Sequence, residues 1–128
     1  MREAVLDSGA VSFFVQSSSR ARALAAVLTM EDLWPPVVPS AVLVECLTGH
    51  PEKDMKTNRF LKTCDIRTDL SELAARRAAK LRTAAGQGSA VDAIVIAVAE
   101  PHGLVLTGDT ADLSALAANA VGVRIKTI

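Results

Sequence analysis

Four carboxylates, Asp7, Glu45, Asp92 and Asp109, stand where surface solvation does not account for them. Glu45 lies among Ala41, Val42, Leu43, Val44, Cys46 and Leu47, and Asp92 is the only charge between Ser89 and Glu100 in a run of Ala, Val and Ile. Helices of that composition read as buried nearly all round. A carboxylate buried there is costly without a partner, and no Lys or Arg lies three or four residues from Glu45 to pair with it. A bound cation is one natural partner. If the four acids share one cleft, two carboxylates about 5 Å apart repel by roughly 3 kcal/mol at an effective dielectric near 20. Several such pairs would offset much of a domain's net stability of about 5 to 15 kcal/mol. An all-oxygen ligand set of this kind suits Mg²⁺ or Mn²⁺ rather than zinc. Three of the acids alone also fit an ordinary helix cap, Glu45 being the exception: Asp7 and Asp109 precede helices, the second with Asp112 in its first turn, and Asp92 follows Ser89 at capping-box spacing.

Positioning these acids requires strands and helices in alternation. Ala4-Val5-Leu6 suits a buried strand broken at Asp7-Ser8-Gly9. Ala23, Leu24, Val27 and Leu28 recur at helical spacing up to Glu31. Breakers from Trp34 to Pro39 surround a Val-rich strand, after which Ser40 is expected to cap a helix over Ala41 to Leu47, ended by Gly49. Pro51 opens a helix through about Lys62, and Cys64 to Arg67 is a third strand. From Thr68 or Asp69, Leu70, Leu73, Ala74, Leu81 and Ala84 mark one face of a long helix ended by Gly86 and Gly88. Ser89 caps Ala90 to Glu100, Leu104 to Thr107 forms a fourth strand, Asp109 opens a helix, and Gly122 to Ile128 closes as a fifth strand. This alternation predicts an α/β fold with a parallel sheet covered on both faces. In such a sheet functional groups collect outside the C-terminal strand ends, where Asp7 and Asp109 fall.

At 128 residues a single domain is expected. The longest apolar stretch, Ala93 to Ala99, is far too short for a membrane span, and Asp7-Ser8 interrupts the N-terminal apolar run, which excludes a secretory core segment. A soluble, cytoplasmic protein follows as the expectation. Cys46 and Cys64 have no zinc-ligand spacing and read as reduced, buried thiols. Fourteen basic residues balance fourteen acidic ones, so any nucleic-acid contact must rest on local clusters. Arg20 and Arg22, the run Lys53, Lys56, Arg59 and Lys62, and the run Arg76, Arg77, Lys80 and Arg82 are candidates. His50 and His102 sit at breakers and read as surface residues, so no Ser-His-Asp or Cys-His arrangement is indicated.

Four blocks, Val5-Leu6-Asp7-Ser8-Gly9-Ala10, Val42-Leu43-Val44-Glu45, Val91-Asp92-Ala93 and Leu106-Thr107-Gly108-Asp109-Thr110-Ala111-Asp112-Leu113, resemble in order and spacing the signature blocks of PIN-domain proteins. Among these the chain looks most like VapC toxins of bacterial VapBC toxin-antitoxin systems, over essentially its whole length. The resemblance implies a PIN-like three-layer α/β/α sandwich with a central parallel sheet of four to five strands, and Mg²⁺- or Mn²⁺-dependent endoribonuclease activity. It also implies homodimerisation and inhibition by a small cognate VapB antitoxin. By position, Asp7, Glu45, Asp92 and Asp109 match the acidic catalytic and metal residues, Asp112 a further acid, and Ser8 and Thr107 polar positions beside the metal. Ser8-Gly9 replaces the commoner Thr-Ser, and Gly108 stands where a second Ser or Asn is frequent.

Phosphodiester hydrolysis suits such a site, because a bound cation lowers the pKa of its water and relieves charge building on the phosphate. Two other readings share some of these features. A PIN nuclease for RNA maturation would carry the same acids without being a toxin. A receiver-like signalling domain also places an Asp after its first strand, but expects paired acids there and a lysine after its fifth strand, whereas Asp7 stands alone and Lys126 lies inside the last one.

Overall fold

The computed structural model describes residues 2–128. Its elements run β1 (Ala4–Leu6), α1 (Ser8–Val15), α2 (Ser19–Met30), β2 (Val37–Pro39), α3 (Ser40–Cys46), α4 (Pro51–Leu61), β3 (Asp65–Arg67), α5 (Glu72–Ala85), α6 (Ala90–Ala99), β4 (Leu104–Thr107), α7 (Thr110–Ala117) and β5 (Arg124–Thr127). The five strands are parallel in the order β3-β2-β1-β4-β5. On one side α1 packs with α2, α3 and α4, and on the other α6 packs with α5 and α7 while lying against β1, β2 and β4. This is the expected three-layer α/β/α sandwich, with five strands. The order differs from the 2-1-3-4-5 sheet of receiver-type folds, in which β1 is flanked by β2 and β3. That alternative is not supported.

The inner strands are apolar because both of their faces are covered. Every residue of β1 and β2 is buried, whereas the edge strands β3 and β5 carry Asp65, Arg67, Arg124 and Lys126 where water or a salt bridge receives them. Val5, Leu6, Val38, Val105, Leu106, Ile96, Leu113 and Leu116 form the centre of the core.

The helix boundaries depart from expectation at two places. Ser40 is the first residue of α3 rather than its cap; Pro39 precedes the helix and supplies no side-chain hydrogen bond. The long helix starts later than Thr68 or Asp69, because Ser71 caps it by accepting from the Ala74 N–H at 3.1 Å. Its buried residues are Ala78 and Leu81, flanked by half-buried Ala74 and Ala85, while Leu70 is 44 % exposed, Leu73 81 %, and Ala84 also faces water. Nor is α3 buried all round: Val44 is 81 % exposed and Glu45 is exposed beside it, Val42 alone is fully buried, and Leu43 and Cys46 are half-buried against the core. Cys46 and Cys64 are free thiols, half-buried, and burial pushes each up to about 11. Both histidines are exposed.

One ion pair ties the far end of the sandwich together. Arg77 on α5 makes two bonds to Glu100, at 2.8 and 2.7 Å, and Glu100 also accepts from the Val121 N–H at 2.8 Å. The Arg77 guanidinium holds the Glu100 carboxyl below its ordinary 4.5. A carboxylate whose folded value is depressed stabilises the protein above its ordinary value and loses that contribution as pH falls through the lowered one. Glu100→Gln is therefore expected to melt below the parent at neutral pH, the two curves converging on acidification below 4.5. Thermal melts of both proteins from pH 7 downward check this, and a gap that persists in acid would show that the charge is not its source.

Candidate metal centre

Strand register brings the first two candidate residues together. Leu6 pairs with Leu106, so the next residues, Asp7 just past β1 and Thr107 at the end of β4, stand side by side at the sheet's C-terminal edge. The chain runs from β1 outward through β2 to β3, then returns to place β4 on the other flank of β1. The crevice between β1 and β4 is thus the topological switch point, where open α/β sheets place their ligands.

Asp7 is 6 % exposed and anchored by both carboxylate oxygens. Its Oδ1 caps α1 by accepting from the Ala10 N–H at 2.9 Å, and its Oδ2 accepts a short hydrogen bond from the Thr107 hydroxyl. Thr107 Oγ1 in turn accepts from the Asp109 N–H at 2.8 Å, so one buried hydroxyl links the two acids. Burial pushes the Asp7 carboxyl above its ordinary value; the bonds from Thr107 and Ala10 oppose this, and the charges of Asp92 and Asp109 add to it.

Asp92, Asp109 and Asp112 each present a carboxylate oxygen within 4.8 Å of the others. Asp92 makes the capping box that its spacing predicts: its N–H donates to Ser89 Oγ at 3.0 Å, and its Oδ2 accepts from the Ser89 N–H at 3.2 Å. Asp109 is the cap residue of α7 by position, yet its side chain makes no capping hydrogen bond, which leaves the carboxylate free. Asp112, in the first turn of α7, accepts from Gln87 Nε2 at 3.0 Å. Like charges at this separation repel by about 1 kcal/mol in water and about 3 where the effective dielectric falls near 20. Cis oxygens around a Mg²⁺ ion at about 2.1 Å lie about 3 Å apart and trans oxygens about 4 Å, so the three acids would have to draw slightly closer to share an oxygen-ligated divalent ion.

Glu45 lies outside that group of three, exposed on α3. Its chain neighbour Cys46 has a thiol raised first by burial and further by the charges of Glu45 and Asp7. Ser8 opens α1 as its first residue and is half-buried. Gly9 and Gly108 face each other across the crevice; a Cβ on Gly9 would meet Gly108 N at 3.4 Å, an ordinary contact, and one on Gly108 would meet nothing within 4 Å. The hydroxyl-bearing residues commoner at these positions would therefore fit.

Of the basic candidates, Arg77 is held by Glu100, Arg76 pairs with Glu72 on its own helix, and Arg82 donates to the Gly88 carbonyl. Arg20 lies over the Phe13 ring, 5.6 Å from its centroid. Lys56 and Arg59 line a groove of about 360 Å³ with Phe14 and Phe60, which none of the acids borders. Gln87 was not legible as a site residue, because an amide between two glycines resembles any loop; its bond to Asp112 exists only once α7 is in place.

These features agree with the family match: the PIN domain profile covers residues 4–119, and the chain belongs to the PIN-domain family. Solved structures share the fold. One is VapBC2 from Rickettsia felis bound to a DNA fragment from their promoter, with a TM-score of 0.75 and 14 % identity over 98 % of each chain. Another is a toxin-antitoxin complex from Klebsiella pneumoniae, with a TM-score of 0.65 and 24 % identity over 94 % of each chain. No curated protein matches the chain significantly.

Proposed function

We propose that this chain is a metal-dependent endoribonuclease, the toxin component of a VapBC-type pair, hydrolysing RNA phosphodiester bonds with Mg²⁺ or Mn²⁺. The observation that carries the reading is the meeting of Asp92, Asp109 and Asp112 within 4.8 Å, beside the buried Asp7, at the switch point of a PIN-domain sheet. A divalent ion held there would supply an activated water and would counter charge on the phosphate. Asp92 and Asp109 hold that ion, with Asp112 as a third acid. Asp7 adds a buried negative charge and fixes Thr107, which positions the Asp109 backbone. Glu45, exposed on α3, is assigned ligation of the ion or orientation of the attacking water.

The assembly partners rest on different support. The structural neighbours above are toxin-antitoxin complexes, which supports a VapB-type antitoxin as partner. Exposed Val44 and Leu73 are large apolar side chains of the kind protein interfaces cover, consistent with a homodimer. Among the described residues no helix is long and apolar enough to cross a membrane, and a cytoplasmic location is part of the proposal.

Purified protein incubated with a panel of RNAs is expected to cleave with Mg²⁺ or Mn²⁺ and to stop in EDTA. Cleavage at the same rate in EDTA would overturn the reading. Growth arrest on expression, relieved by a co-expressed antitoxin, separates a toxin from an RNA-maturation nuclease.

A further inference from the structure

We propose that Gln87 is a positioning residue, and that the loop from Gly86 to Ser89 sets the gap between Asp92 and Asp112. This inference rests on the metal-site reading above and assigns it a residue outside the acids.

The loop is fixed on three sides. Gly86 ends α5 in the left-handed region at φ 70°, its N–H bonded to the Arg82 carbonyl at 3.1 Å. Arg82 Nε returns to donate to the Gly88 carbonyl at 3.1 Å. Gly88, at φ 97°, lies so close to α7 that a Cβ there would stand 2.8 Å from Leu116 Cδ1. The backbone between these points has little room to move relative to the helix that carries Asp112.

From that fixed segment two anchors, Gln87 and Ser89 on either side of Gly88, reach two acids of the cluster. Ser89 holds one oxygen of Asp92 through its N–H, at 3.2 Å. Gln87 Nε2 donates to Asp112 Oδ1 at 3.0 Å and to the Ala111 carbonyl at 3.3 Å. Both of its neighbours are acceptors only, so the amide must present its NH₂ group to them. Among the described residues the second oxygen of each acid accepts no protein hydrogen bond, which leaves one oxygen per acid for a cation.

The chemical type of the anchor matters as much as its place. A Lys or Arg in the same position would hold Asp112 but neutralise it, and would compete with the cation for it. A neutral amide fixes the carboxylate and leaves its full charge in place. Gln87 thus resists the spreading that mutual repulsion among three close carboxylates would cause before an ion arrives.

The test is Mn²⁺ binding to the metal-stripped protein, followed by the electron paramagnetic resonance of free Mn²⁺, for the parent, Gln87→Ala, Asp112→Asn, the double variant and Asp92→Asn. Gln87→Ala is expected to weaken Mn²⁺ about 10-fold, as loss of a partner that orients a ligand does, without changing the metal-free melting temperature. In the Asp112→Asn background it should have no further effect, since it acts through that carboxylate. Parent-like affinity of Gln87→Ala, or an undiminished loss in the Asp112→Asn background, would overturn the role of Gln87 while the metal site stands. If the parent takes up no Mn²⁺, or Asp92→Asn binds as the parent does, the metal reading falls and the role of Gln87 falls with it.

Discussion

Asp7→Asn is expected to lower metal-dependent RNA cleavage by more than about 100-fold and yet to melt within about 5 °C of the parent. The activity falls because the site loses its most buried negative charge, and with it several kcal/mol of support for the ion and its phosphate. Two opposed effects hold the stability nearly level. Asn is as good a helix cap as Asp and can still accept from the Ala10 N–H. Its amide then faces the Thr107 hydroxyl, whose own proton loses its acceptor, a loss of about 1 kcal/mol. Against this, burial disfavours charge on Asp7, and the substitution removes that strain.

The pH dependence gives the same residue a second signature. An acid whose folded value is raised binds its proton more tightly in the folded state, so its contribution to stability falls as pH rises from 3.8 through the raised value. Asp7→Asn should lack that slope. Parent-like cleavage by the variant would remove Asp7 from the chemistry, and a collapse in melting temperature would make it a structural cap alone.

Leu106→Ala is expected to remove about 2 to 5 kcal/mol of stability, a large share of the about 5 to 15 available to a domain. Leu106 is fully buried in β4, paired in register with Leu6 of β1, and followed by the residue that holds Asp7. The cavity would loosen the strand whose end carries Thr107, so activity should fall at temperatures where the variant is still mostly folded. Urea unfolding should show a lower midpoint with an unchanged slope. A loss below about 1 kcal/mol would mean that the surrounding core collapses onto the site.

Much of this architecture was legible from local chemistry. Ala4 to Leu6 and Leu104 to Thr107 are short apolar runs bounded by breakers, and both are central strands. The Ser89 and Asp92 spacing gave a capping box that the structure contains. What local chemistry could not give was pairing: that β4 lies against β1, across about a hundred residues of intervening chain, depends on long-range contacts. Burial of a helix is likewise a property of its neighbours. The apolar run around Glu45 read as core, but α3 sits where Val44 and Glu45 face outward. The cap expected at Ser40 failed because Pro39 already directs the chain into the helix, and Leu70 and Leu73 read as a core face although the stripe that packs begins at Ala74. For the acids, the cap reading held at two positions: Asp7 and Asp92 cap helices with one oxygen each, whereas Asp109 leaves its cap unmade.

The hydroxyl link between Asp7 and Thr107 joins positions 100 residues apart. A polypeptide emerging from a ribosome at about 5 to 20 residues per second exposes Asp7 many seconds before Thr107 and Asp109 can reach it. Until β4 docks, Asp7 has neither the Thr107 hydroxyl to fix it nor Asp109 linked to it. A site divided in this way between the two ends of the chain is completed only late in synthesis, when β4 and α7 join β1.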